Sequence, residues 1–126
     1  MRVMLLVKAN KDYEAGVPPS AEALTTMDRY NEELSAAGIV ETLGGLMPSS
    51  HGVRVRYSGG ALTITDGPFL ETKELVAGFS IWNVGSLEEV MEWVRRCPMP
   101  GDAEVEIRPL YGSEVFDAPK QEARAP

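Results

Sequence analysis

The chain has 126 residues, enough for one modest core and too few for two. Its apolar fraction of 44% and charged fraction of 25% are those of an ordinary soluble globular protein. Its net charge of -7, with Arg54, Arg56, Arg95, Arg96 and Arg108 scattered among acids, argues against nucleic acid as a partner.

Residues 1–8 read as a strand. Met1, Val3, Leu5 and Val7 alternate with Met4 and Leu6, so both faces are apolar at the centre, as in a strand inside a sheet covered on both sides. The apolar run from Val3 to Val7 has no cleavage site after it and is too short for a signal peptide. Residues 9–19 read as a polar loop. Ser20 then N-caps a helix over 21–37, with Leu24, Met27, Tyr30 and Leu34 at helical spacing and Gly38 as its stop.

Ile39 to Leu43 follow as a strand that Gly44, Gly45 and Pro48 bend or bulge. Val53, Val55 and Tyr57 alternate with polar residues, "SGG" at 58–60 makes a hairpin turn, and Leu62 and Ile64 continue the alternation on a second, antiparallel strand. After a loop at 66–75, residues 76–84 form another strand with two apolar faces: Val76, Trp82 and Val84 on one, Ala77, Phe79 and Ile81 on the other. Ser86 and Glu89 make a capping box for a helix over 87–96, with Leu87, Val90, Met91 and Val94 as its buried stripe. The last strand is 104–110. The domain is taken as 1–112, and residues 113–126 as a polar C-terminal tail ordered at most around Val115 and Phe116.

The order β-α-β-β-β-β-α-β, with two helices each connecting strands, predicts an α+β, ferredoxin-like sandwich with an added hairpin. Two helices cover one face of the sheet. The second apolar face needs another cover, and a second copy of the same sheet supplies one. The expected assembly is therefore a homodimer packed sheet to sheet.

Cys97 is the single cysteine, so no internal disulfide forms and the chain reads as cytoplasmic. No apolar run approaches membrane-spanning length, which points away from a membrane partner. No dinucleotide fingerprint, phosphate loop, zinc-helix pattern or cysteine pair occurs, so no cofactor is named.

The stretch "TDGPFLETKELVAGF", residues 65–79, admits two readings. As a turn, Asp66-Gly67 bends the chain, Pro68 stiffens it, Phe69 plugs the end of the core, and Glu71, Lys73 and Glu74 are solvated. As a site, a rigid turn fixes Asp66, and partial burial against Phe69 would raise its pKa and let it act as an acid or base. Phe69, Glu71 and Lys73 then contact a small-molecule ligand, with Lys73 neutralising a carboxylate or steadying an anion. Two or three acids in a loop are a weak pattern for a metal, and none is assigned. His51, the only histidine, reads first as an exposed loop residue; as a functional one it is a base at the same end of the hairpin as Asp66. Ser49 and Ser50 suggest a Ser-His-Asp arrangement, but no nucleophile elbow accompanies them.

The same stretch closely resembles the motif of the YCII-related family, in the branch named for Asp-Gly-Pro-Phe. The opening "MRVMLLVKANKDYEAG", the helix "RYNEELSAAGI", "VRVRYSGG" and "EVEIRPLYG" also resemble that family, so the likeness spans roughly 1–112. It implies a ferredoxin-like domain that dimerises into an α/β barrel by stacking sheets. It implies little about activity: a His-Asp pair early in the fold is proposed for the wider family, and this chain has no histidine in residues 1–50. The positions that match the branch are Asp66, Gly67, Pro68, Phe69, Glu71, Thr72, Lys73 and Glu74. Two functions stay open: a small-molecule enzyme using Asp66, and a non-catalytic dimeric module that binds a ligand or a protein in a regulatory role.

Overall fold

The structure, a computed structural model, describes residues 1–112, apart from the side chain of Lys73. The expected tail at 113–126, with Val115 and Phe116, lies outside the described residues.

Four strands form an antiparallel sheet: β1 (Arg2–Lys8), β2 (Val40–Gly45), β5 (Val76–Asn83) and β6 (Val105–Pro109), in the order β2-β5-β1-β6. Helix α2 (Ala21–Ala36) links β1 to β2, and helix α3 (Leu87–Arg95) links β5 to β6. This is an α+β sheet with the strand order of a ferredoxin-like sandwich. A hairpin, β3 (Val53–Ser58) with β4 (Ala61–Asp66), is inserted between β2 and β5 as a sheet of its own.

The core lies between the sheet and the two long helices. Val3 and Leu5 from β1, Trp82 from β5, Tyr30 and Leu34 from α2, and Val90 from α3 are buried together, with Ile39 and Val84. Tyr30 donates its hydroxyl to the Trp93 carbonyl at 2.5 Å, and burial pushes its phenol pKa well above the usual range. Cys97 is half-buried beside that core, and burial raises its thiol pKa too. Ser20 caps α2 by accepting the Ala23 N–H at 3.0 Å, and Gly38 ends it with a positive φ of 73°. Ser86 caps α3 as expected by accepting the Glu89 N–H, but the Glu89 carboxylate accepts the Gly85 N–H, one residue before the N-cap, so the reciprocal half of the box is displaced.

Among the described residues neither long helix lies on the other face of the sheet. Met4 pairs with Ile81 and Leu6 with Phe79, which puts four apolar side chains in one half-buried patch. The Phe79 ring lies over Gly44, where a Cβ would sit 2.9 Å from it. Lys8, Glu106 and Arg108 make an ion-pair group at the edge of the patch.

Several expectations are corrected. Residues 9–19 are not all loop: Lys11–Glu14 form a short helix, α1, because Asn10 Oδ1 accepts the Tyr13 N–H at 2.8 Å. Leu24 and Leu87, each in the first turn of its helix, lie 51% exposed, off the buried stripes. Strand β2 runs through Gly44 and Gly45, and its irregularity falls earlier, between Val40 and Thr42, where a residue is left over against β5. The hairpin has the expected pairing, but neither face is dry: all of β3 and β4 is exposed.

Candidate functional site

The loop after β4 is held by contacts that begin far away in sequence. Tyr13 of α1 donates its hydroxyl to the Ala77 carbonyl at 3.2 Å, which ties α1 to the start of β5; burial, then the Glu14 carboxylate, raises the Tyr13 phenol pKa. Glu14, next along α1, takes two hydrogen bonds from one residue of a 3-10 turn at Ser49–His51. The Ser49 N–H donates to Oε2 at 2.9 Å and the Ser49 hydroxyl donates to Oε1. The same hydroxyl oxygen accepts the Phe69 N–H at 2.9 Å. Ser49 therefore joins helix, turn and loop in a single chain of hydrogen bonds. Its proton is committed to Glu14 and a lone pair to Phe69, so it acts as a staple and not as a nucleophile for His51.

Sterics reinforce the staple. A Cβ on Gly67 would sit 1.8 Å from the Ser49 carbonyl oxygen, so only glycine lets loop and turn approach this closely. The Gly67–Pro68 peptide is cis, and the Gly67 N–H donates to the Gly52 carbonyl at 2.9 Å. Val53 pairs with Asp66, so the turn bearing His51 and the loop bearing Asp66 do lie at one end of the hairpin. Phe69 does not plug the core as the turn reading expects. It is half-buried under the Arg54 guanidinium, 3.9 Å from the ring centroid, because the staple turns the loop toward the hairpin.

The expected site residues divide. Phe69 is built into the frame. Asp66 and Glu71 are exposed, and their carboxylates make no hydrogen bond or ion pair among the described residues. His51 is exposed as well, likewise without a side-chain partner there. Lys73 falls in a 3-10 turn at Thr72–Glu74, its side chain outside the described residues. Among the described residues no three His, Cys, Asp or Glu side chains converge as metal ligands would. A depression lined by Asp28, Asn31, Glu32 and Ser35 belongs to the outer side of α2 alone. Glu14 and Arg54 are the residues that sequence reasoning missed. Glu14 meets a partner 35 positions away, and the one local hint was the capping pattern Asn10–Tyr13 that makes α1.

The chain is 34% identical over 92 residues to an uncharacterised protein of Rhizobium meliloti (strain 1021), covering 66% of this chain and 74% of that protein. Among solved structures it is similar to 5-chloro-2-hydroxyhydroquinone dehydrochlorinase (TftG) from Burkholderia phenoliruptrix AC1100, in complex with 2,5-dihydroxybenzoquinone. There the identity is 18% and the TM-score 0.48, over 90% of this chain and 98% of that one. A family model, that of the YCII-related domain, matches residues 1–113, the whole of the domain described above. This chain belongs to the YCII-related domain family.

Proposed function

We propose that this chain, in the Asp-Gly-Pro-Phe branch of its family, is a homodimeric cytoplasmic small-molecule enzyme with Asp66 as the acid-base group of a loop-covered site. One observation carries the reading. The Glu14–Ser49–Phe69 hydrogen-bond chain fixes the loop while leaving the Asp66 carboxylate without a partner among the described residues. A carboxylate on a fixed backbone position, with no partner of its own, is open to a ligand. Phe69, with the Arg54 cation over its ring, offers an aromatic contact, Glu71 a second acid on the same loop, and Lys73 a countercharge for an anionic ligand. His51 is a second base at the same end of the hairpin. In the dimer the helix-free sheet faces stack, Met4, Leu6, Phe79 and Ile81 of one copy against those of the other, and the second copy closes the site.

The first test is native mass spectrometry of gently purified protein at two concentrations. A dimer carrying an added mass is expected, and Asp66→Asn should lose that mass while keeping its dimer and its circular dichroism. A bare dimer, or a ligand kept equally well by Asp66→Asn, removes Asp66 from the site. A second reading, a non-catalytic dimeric module that binds a ligand or protein in a regulatory role, draws on the exposure of Asp66, Glu71 and His51. Under it the bound molecule is recovered chemically unchanged after incubation.

A further inference from the structure

We propose that the β3–β4 hairpin is an arm that clasps a second copy of this chain, its apolar face closing over the flank of the stacked sheets. The inference rests on the homodimer reading above.

The register of the hairpin sorts its side chains. Val55 pairs with Ile64 and Tyr57 with Leu62, so these four share a face with Val53, while Arg54, Arg56, Thr63 and Thr65 share the other. The apolar face is bare: Val53 is 59% exposed, Val55 44%, Tyr57 80%, Leu62 59% and Ile64 64%. The turn is tight, with Gly59 at φ 55° and Gly60 at φ 85°, as two-residue hairpin loops require. Six residues per strand make an arm about 20 Å long. Its base is stapled through Ser49, Gly67 and the Arg54–Phe69 stack, so the arm leaves the body in a set direction. A two-stranded sheet exposed on both faces is at best marginally stable in water, so an arm of this shape calls for a surface to lie on.

Area identifies that surface. The half-buried patch of Met4, Leu6, Phe79 and Ile81 offers no more than about 250 Å², well short of the roughly 800 Å² per partner in a stable interface. The apolar face of the arm adds on the order of 500 Å², which brings each copy close to that size. The hairpin, residues 53–66, holds Arg54, Arg56 and Asp66, and both arginines lie on the face turned away from the apolar one. Two-fold symmetry lets each copy give an arm and receive one.

The test compares Tyr57→Asp combined with Ile64→Asp against Thr63→Asp on the polar face, by sedimentation across a range of concentrations. The apolar-face variant should raise the dimer dissociation constant about 100-fold or more, with circular dichroism unchanged, and Thr63→Asp should leave it within a few-fold. A wild-type dimer whose constant is unmoved by the double variant overturns the arm and leaves the sheet-to-sheet dimer standing. A wild-type monomer overturns both. Hydrogen exchange on the unmodified chain gives a readout that no misfolded variant can confuse. Amides of 53–66 should gain protection as concentration rises through the dissociation constant, and exchange independent of concentration overturns the arm.

Discussion

The sheet and the arm both offer a row of apolar side chains on one face of each strand, β1 on its second face as well, and those rows end in opposite states. In β1, Val3 and Leu5 fall to 0% and 6% exposure because α2 and α3 lie across them. In β3 and β4, Val55 and Ile64 pair across the hairpin as neatly and stay 44% and 64% exposed because no element among the described residues covers them. Alternation specifies that one face is to be dry. It does not say what dries it. In the body the chain supplies the cover through crossover helices; in the arm no described element supplies one, and the proposed clasp would.

The largest expected contrast is energetic. Leu34→Ala removes a side chain at 2% exposure from the middle of the core and should cost about 2–5 kcal/mol in urea unfolding. Ile64→Ala, in samples dilute enough to be monomeric, should cost no more than about 0.5 kcal/mol. A loss at Ile64 equal to that at Leu34 in such samples would mean that the arm packs on its own body. The join between the regions comes next. Ser49→Ala takes the hydrogen-bond acceptor from the Phe69 N–H and the donor from Glu14. Exchange of the Phe69 amide should quicken on the order of tenfold, about 1.4 kcal/mol of local opening, with little change in the core amides of β1. Equal quickening in β1 would show arm and body unfolding as one unit.

The smallest effect is electrostatic and belongs to the body. Lys8, through its hydrogen bond to the carboxylate, and then Arg108 hold Glu106 below its ordinary pKa. A lowered folded-state pKa gives stability that is present above the unfolded value, near 4.3, and is lost as pH falls through the folded one. Glu106→Gln should therefore flatten the acid limb of the stability curve slightly and leave neutral stability almost unchanged, since exposed pairs contribute little. A carbon-detected titration that finds Glu106 at its ordinary value would remove the pair.

Much of this was legible in the residues. The caps at Ser20 and Ser86, the stop at Gly38, the turn at Gly59-Gly60 and the order of strands and long helices follow from signals a few positions apart, and the likeness to the YCII-related family rests on motifs spread through that same order. The candidate site was legible in part. Asp66 and Gly67 announce a turn, but what holds that turn was hidden. Glu14 stood in a stretch read as loop, and Ser49, set aside as a nucleophile for want of an elbow, gave no sign of being a staple.

By itself the sequence determined what local stereochemistry controls: where helices begin and end, which strands alternate, and that Asp66-Gly67 bends the chain. The tertiary structure decided what depends on partners distant along the chain. It set Glu14 against Ser49, laid Arg54 over Phe69, left Leu24 and Leu87 off the core, and held the hairpin clear of the sheet. The physical reason is range: backbone preference and capping act over a few residues, whereas burial and hydrogen bonding depend on which surfaces meet once the whole chain has folded.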